Sequence, residues 1–337
     1  MPIAPVTRLL AVTPASIDTA AQTLSDGGLV AFPTETVYGL GADAANAIAI
    51  ARLYAAKGRP AFNPLIVHVT DADAARLLGH FDVAAQRLAA KFWPGPLTLV
   101  LEKSAHCPVA ELATAGLQTI ALRVPDHPVA RSLLAAFGRP IVAPSANRSG
   151  HVSPTLAPHV MADLNGRIDV VLDGGPTMVG VESSIVACLG SPPRLLRPGG
   201  LTRAAIEQVL RVPLAENTAT TDGEPDPQAP IAPGMLTSHY APRTPVRLGA
   251  TSVEPGEVLL AFGPHRPVGA ENAARTLNLS PDGDLIEAAA NLFAHLRALD
   301  GSGATAIAVM PLPTTGLGEA INDRLRRAAA DDKRLAP

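Results

Sequence analysis

Only two cysteines, Cys107 and Cys188, occur among 337 residues, too few for a disulfide framework or a thiolate metal cage. Both read as packed, reduced thiols of a cytosolic protein. Aromatic residues make up 3% of the chain, which leaves few platforms for stacking single-stranded RNA bases. There is no cationic excess either: the formal net charge is -3, and gripping a nucleic-acid backbone rests on neutralising its phosphates. No apolar run approaches the roughly 20 residues that cross a bilayer. Met1 to Leu10 lacks the charged start, apolar stretch and cleavage pattern of a secretion signal. These absences lead us to expect a cytoplasmic protein with no membrane partner and no stable nucleic-acid binding. Gly-x-x-x-x-Gly-Lys-Ser/Thr, a strand-borne Gly-x-Gly-x-x-Gly, His-Glu-x-x-His and Cys-x-x-Cys are missing too. The common phosphate loop, the dinucleotide fingerprint and the familiar zinc signatures are therefore excluded, and no metal-ligating residues are expected.

What the chain does have is an alternation of helix and strand signals, with 47% hydrophobic residues over a length that suits about two domains. Thr13-Pro14 opens a helix as N-cap and first helical residue, Ile17, Ala20, Ala21 and Leu24 give it one apolar face, and Gly27-Gly28 stops it. Further helices are expected over Ala44 to Ala56 and Val83 to Phe92. Strands are expected over Leu29 to Phe32, Leu65 to Val69, Leu97 to Leu101, Thr119 to Val124, Ile141 to Ala143, Ile168 to Leu172 and Ser184 to Leu189. Such spacing implies an α/β domain on a parallel or mixed sheet. Glu216 to Pro233, rich in Thr, Asp, Pro and Ala, reads as a flexible linker. Beyond it, strands at Val258 to Phe262 and Ala306 to Met310, with helices over Asp284 to Leu299 and Leu317 to Ala330, form a smaller α/β unit. The expected division is 1–212, a linker or lid over 213–245, and 246–337.

Chemistry-bearing residues gather near the strand ends and loops of the first domain, where α/β folds place ligands. Lys57-Gly58-Arg59, followed by Asn63-Pro64-Leu65, offers a point charge, a planar fork and an amide to phosphate oxygens. The same cations also suit a solvated helix end, and Asn63 between Phe62 and Pro64 suits an ordinary turn amide. Thr34 to Tyr38 supplies hydroxyls for a small polar substrate. Pro144-Ser145-Ala146-Asn147 leaves a strand end with a hydroxyl and an amide, either for phosphate or as a polar turn. Thr119 and Arg123 share one face of a strand. A buried arginine there needs a partner: a substrate carboxylate, Asp126 or Glu182. His68, between Val67 and Val69, serves as a ligand or as a structural histidine. Ser153 reads as a contact or a helix cap, and Arg197 as a third cation or a turn cap.

Together these segments resemble the Sua5/YrdC family of threonylcarbamoyl-AMP synthases. The resemblance runs through Pro33 to Gly41, Lys57-x-Arg59 with Asn63-Pro64-Leu65, Arg123-Val124-Pro125, Pro144 to Asn147, Glu182-Ser183-Ser184 and Arg197-Pro198-Gly199. It continues in Pro233-Gly234-Met235, His239 to Pro242 and Gly316 to Leu325, as in the longer, two-domain members. It implies a YrdC-like twisted mixed parallel and antiparallel sheet flanked by helices, plus a smaller Rossmann-like α/β domain. It implies a nucleotidyltransferase that makes threonylcarbamoyl-AMP and pyrophosphate from L-threonine, bicarbonate or CO2, and ATP with Mg2+. Downstream proteins would then transfer the group to adenosine 37 of tRNA. By the same resemblance Thr36, His68, Arg123, Ala143 and Ser183 would hold threonine. Lys57, Arg59, Asn63, Thr119, Ser145, Asn147, Ser153, Arg197 and Tyr240 would hold ATP, with Lys57 and Arg59 catalytic at the phosphates. The alternative is a non-catalytic RNA-binding or maturation factor on the same fold, against which the net charge argues.

Overall fold

The computed structural model describes residues 6–215 and 240–330. Local rules account for the first elements. Thr13 Oγ1 accepts the Ser16 N–H at 3.1 Å and Ser16 Oγ accepts the Thr13 N–H at 2.8 Å, a reciprocal cap for the helix Pro14–Ser25. The next helix begins at Ala47, later than Ala44, because Asn46 Oδ1 accepts the N–H groups of Ile48 and Ala49 and caps it there.

In chain order the first domain carries β1 (Arg8–Ala11), α1 (Pro14–Ser25), β2 (Val30–Pro33), β3 (Tyr38–Asp43), α2 (Ala47–Lys57), β4 (Ile66–His68), α3 (Ala72–Arg76), α4 (Val83–Phe92) and β5 (Leu97–Glu102). It continues with α5 (Glu111–Thr114), β6 (Thr119–Arg123), α6 (Pro128–Phe137), β7 (Ile141–Val142), α7 (Ala157–Leu164), β8 (Val170–Asp173), β9 (Ser184–Ala187), β10 (Arg194–Arg197) and α8 (Arg203–Leu210). The ten strands form one mixed sheet in the order β1-β8-β2-β3-β7-β4-β6-β5-β9-β10. β4 and β6 run parallel, as do β5 and β9, while β5 and β6 are antiparallel.

Period-two alternation sorts the strand residues between the faces. Val67, Leu99, Leu122 and Val142 point into a core shared with α2, α4, α7 and α8. On the opposite face α1 and α6 bury Val30, Phe32, Ile141 and Val170. Further along that face, Ile66, Val100, Ala121, Ile185, Ala187 and Leu196 form a small apolar floor made of strand residues alone.

The second unit has β11 (Val246–Arg247), β12 (Val258–Ala261), β13 (Thr276–Asn278), α9 (Leu285–Asp300), β14 (Ile307–Val309) and α10 (Leu317–Ala328). Its sheet is all parallel, in the order β11-β14-β12-β13. Its core includes Leu292, Phe293, Leu296, Ile321 and Leu325, and Val37, Val152 and Val181 of the first domain join it. Among the described residues three ion pairs cross the same boundary: Arg203–Glu319 at 2.8 Å, Arg297–Asp163 at 2.9 Å and Arg324–Glu182 at 3.0 Å. Gly180 lies so close to α9 that an added Cβ would sit 2.2 Å from the Ala289 carbonyl oxygen. Among the described residues no helix is long and apolar enough to cross a membrane.

Candidate active site

A row of polar side chains follows one edge of the large sheet. His68 ends β4 and Arg123 ends β6, and the two are paired in register. Thr98 precedes Leu99, the partner of Leu122, so it lies beside Arg123 on the neighbouring strand. The Thr98 hydroxyl shares a 2.7 Å hydrogen bond with Ser183 Oγ, just ahead of β9. Arg197, closing β10, donates Nε and Nη2 to the Ser183 carbonyl at 3.2 and 2.9 Å, and Nη2 also reaches Ser183 Oγ at 3.2 Å. Five strands thus bring residues 68, 98, 123, 183 and 197 to a common edge.

The Arg123 end is nearly closed to solvent. Its Nη2 donates to Glu35 Oε1 at 2.6 Å and to Thr36 Oγ1 at 2.9 Å. The other Glu35 oxygen accepts the Asp126 N–H at 3.0 Å. The protein partner of Arg123 is therefore Glu35, from the β2–β3 turn, and neither Asp126 nor Glu182. The Asp126 carboxylate lies 4.0 Å from Arg131, and Glu182 pairs with Arg324. Arg123 Nε and His68 Nδ1 are buried without a hydrogen-bond partner. Burial, reinforced by the Arg123 charge, lowers His68 to about 3, so the imidazole is neutral at physiological pH. Ala143 follows β7 and donates its N–H to the Ile66 carbonyl at 3.0 Å. Its Cβ would lie 3.2 Å from a Cβ built on Gly39.

A second group of donors gathers around Arg59. Gly58, in the left-handed conformation at φ 60°, ends α2 and turns the chain. The half-buried Arg59 then donates Nε and Nη2 to the carbonyls of Asn63 and Pro64 at 3.2 and 2.9 Å. Both side-chain amide atoms of Asn63, and Oδ1 of Asn147, are buried without a partner. Burial lowers the Arg59 guanidinium to about 10, Tyr54 and Tyr240 oppose the shift and Arg197 adds to it, so Arg59 stays cationic at neutral pH. Burial is also the main cause that lowers Arg197. Among the described residues neither Arg59 nor Arg197 has a directly bonded carboxylate. Two such cations beside an unsatisfied amide make an anion-binding arrangement, since buried polar groups without partners are costly.

The structure distributes the other expected site residues unevenly. Lys57 is buried, and its Nζ donates to the carbonyls of Ser145 and Asn147 at 2.5 Å each. It therefore braces the Ser145–Asn147 turn from beneath, and burial, then the Arg59 charge, lowers its pKa. Ser153 has no exposed surface and donates Oγ–H to Glu182 Oε1 at 2.6 Å. Tyr240 stacks on Phe293 with ring centroids 5.4 Å apart and lies in the field of Arg59 and Arg197. Thr119 is set apart: it opens β6 opposite Glu102, about 13 Å along the strand from Arg123. Ala121 of the apolar floor lies between them on the strand. The expected lid over 213–245 falls mostly outside the described residues, and so do Pro233-Gly234-Met235 and His239. Sequence reasoning missed Glu35 as the partner of Arg123, Thr98 as the partner of Ser183, and Arg324. Only the hydroxyl-rich run Thr34 to Thr36 carried any hint of the first.

A separate groove of about 360 Å³, lined by residues including Arg8, Asp26, Arg52 and Asp169, lies at the β1 edge. It is lined by none of the unsatisfied polar groups.

Known proteins resemble the chain over nearly its whole length. The Sua5/YciO/YrdC family model, described as telomere recombination, matches residues 22–199. The model for the threonylcarbamoyl-AMP synthase C-terminal domain matches residues 201–330. The chain is 41% identical over 336 residues to the threonylcarbamoyl-AMP synthase of Bacillus subtilis, covering 96% of each chain. It is 42% identical over 330 residues to the Pyrococcus abyssi protein of the same name, covering 92% of this chain and 93% of that one. The crystal structure of P. abyssi Sua5 complexed with L-threonine superposes with a TM-score of 0.82 at 37% identity, over 96% of this chain and 97% of that one. The chain belongs to the Sua5/YrdC family of threonylcarbamoyl-AMP synthases, in its long, two-domain form.

Proposed function

We propose that this protein forms L-threonylcarbamoyl-AMP and pyrophosphate from L-threonine, bicarbonate or CO2, and ATP, supplying the threonylcarbamoyl group for adenosine 37 of tRNA. The observation that carries this reading is the single polar edge on which Arg123 lies in register beside Thr98, Thr98 bonds Ser183, and Ser183 bonds Arg197. That adjacency supports reading the Arg123 end as an amino-acid carboxylate site and the Arg197 end as a nucleotide anion site beside it. In this reading Thr36, His68, Arg123, Ala143 and Ser183 take threonine, and the unpartnered Nε of Arg123 meets its carboxylate. Arg59, Asn63, Ser145, Asn147, Ser153, Arg197 and Tyr240 take ATP. Thr119 lies far enough along β6 to meet the end of the nucleotide remote from Arg123. Lys57 acts at the phosphates chiefly by fixing the Ser145–Asn147 turn. The chemistry sits within 1–212, while 246–337 braces it across 213–245, and the product passes to separate transfer proteins in the cytoplasm.

Neutral threonine nitrogen attacks CO2, losing a proton to water, or attacks bicarbonate with loss of water, and becomes an N-carboxylate. A carboxylate oxygen then bonds to the α-phosphorus as the bond to pyrophosphate breaks. No covalent enzyme intermediate is needed, so the chain contributes positioning and charge. Arg59 and Arg197 offset phosphate charge, and uncharged His68 adds no cation to compete for the threonine carboxylate. Burial of the Arg123 end keeps water from a product that hydrolyses readily. Mg2+ is proposed as the counter-ion that ATP brings. Among the described residues no three His, Cys, Asp or Glu side chains converge on one point, so no residue is assigned to the metal.

The test is pyrophosphate release by the purified chain with each substrate omitted in turn, and a mass measurement of the product. Release should require all three substrates, and Arg59→Ala should lower it about a hundredfold. Release that ignores threonine, or Arg59→Ala with full turnover, would remove the assignment.

A further inference from the structure

Among the described residues Arg324 is the largest side chain with no exposed surface. It belongs to α10 of the small domain, but two of its bonds cross into the large one. Nε donates to Glu182 Oε2 at 3.0 Å, and Nη1 donates to the Pro198 carbonyl at 2.6 Å and to Asp323 Oδ2 at 2.8 Å. Its guanidinium carbon lies 5.4 Å from the centre of the Tyr240 ring. The other Glu182 oxygen accepts the Ser153 hydroxyl at 2.6 Å. Glu182 adjoins Ser183 in the chain and Pro198 adjoins Arg197, and Ser183 and Arg197 bond to each other.

One fork therefore grips both chain segments on which the Ser183–Arg197 contact is built, together with the carboxylate that orients Ser153. A buried ion pair contributes little net stability, because removing both ions from water offsets their attraction. What a rigid, planar fork supplies is geometry.

We propose that Arg324 is a positioning residue of the nucleotide subsite: acting through Glu182 and the Pro198 carbonyl, it fixes Ser153 and Arg197 where ATP is held. This rests on the reading above that these residues receive ATP. Arg123 and His68 make no bond to Arg324, and of the threonine residues only Ser183 follows a residue that it holds, so ATP should respond more strongly than threonine to its loss.

The experiment titrates the full chain with L-threonine alone and with a non-hydrolysable ATP analogue alone, alongside steady-state pyrophosphate release. Arg324→Met should weaken the analogue about tenfold or more and raise the KM for ATP to match, with threonine affinity within about twofold of the parent. Arg324→Lys should restore part of the loss, since a point charge still reaches Glu182 but cannot also hold Pro198. Adding Arg324→Met to Ser153→Ala should cost less than the two single effects multiplied, the mark of residues acting through one another. Parent ATP affinity in a folded Arg324→Met protein, equal losses for both ligands, or independent multiplication of the single effects would each overturn the proposal. If Arg324→Met does not fold, Glu182→Gln reads the same split between the ligands and decides it. A parent protein that binds the analogue but releases no pyrophosphate would remove the proposed function, while the binding pattern would still decide the role of Arg324.

Discussion

Arg123, His68, Thr98 and Thr36 come from the large sheet and its first hairpin, and the hydrogen bonds described for them stay within that domain. The loops that carry Ser153 and Arg197, by contrast, are tied to α9 and α10 of the small domain. Arg297 donates to the Val152 carbonyl and to Asp163, and Arg324 holds Glu182 and Pro198. The Arg123–His68 end is thus built mainly by strand register, and the Ser153–Arg197 end by docking of a second unit, with Val37 and Ser183 lying between the two. Disturbing the domain boundary should therefore injure ATP binding before it injures threonine binding.

The largest effect is expected at Arg123. Arg123→Met leaves Glu35 buried without its cation, which costs roughly 3–5 kcal/mol of stability. Threonine binding should be lost while the ATP analogue still binds the folded fraction, as measured by thermal melting and titration. Unchanged threonine affinity would break the comparison at its firmer end. Gly180→Ala probes the other end. The new Cβ meets the Ala289 carbonyl, and φ is +76°, so the boundary must open at a cost of roughly 1–3 kcal/mol. ATP affinity should fall several-fold and threonine affinity by less, although the Gly180 N–H also donates to the Thr36 carbonyl at 3.2 Å; equal losses would dissolve the distinction.

Asp163 tests the bracing by pH. Burial alone would raise its carboxyl, but the hydrogen bond from His151 and the charge of Arg297 outweigh that and hold it at about 2. The folded value lies below the unfolded one. The stabilisation is therefore present above about pH 4 and lost as pH falls toward 2, about 2 kcal/mol in all. Denaturant melts of the parent and of Asp163→Asn should converge by about that amount over this window; parallel curves would rule it out. Over the first pH unit below 6.5 the smallest effect belongs to His68, also lower in the folded chain, at about 3. The unfolded state binds the extra proton below about pH 6.5, so stability falls with pH there, by about 1 kcal/mol between 6.5 and 5.5. His68→Gln should flatten that slope, and an unaltered slope would mean a solvated imidazole.

Elements marked by local chemistry were readable from sequence. Thr13-Pro14 fixed the start of α1, and α4 runs over Val83–Phe92 as its periodicity predicts. β3 was not readable, because Gly39 and Gly41 have little strand preference. Their value is spatial: a Cβ on Gly41 would lie 2.9 Å from the Phe32 ring. α6 was overlooked although His127, Pro128 and Gly138 mark its ends. In the site, each cation was visible as a residue type, but its partner was not. Glu35 lies 88 positions from Arg123, and Glu182 lies 142 from Arg324. Those pairings arise only from strand order and domain docking, which local pattern does not encode.

The most direct test of the account is a crystal structure of the full chain with L-threonine and a non-hydrolysable ATP analogue bound together. The account predicts the threonine carboxylate on Arg123 and the triphosphate on Arg59 and Arg197, with the threonine nitrogen about one carboxyl group away from the α-phosphorus. Threonine and nucleotide in separate cavities, or an α-phosphate turned away from Ser183, would contradict it.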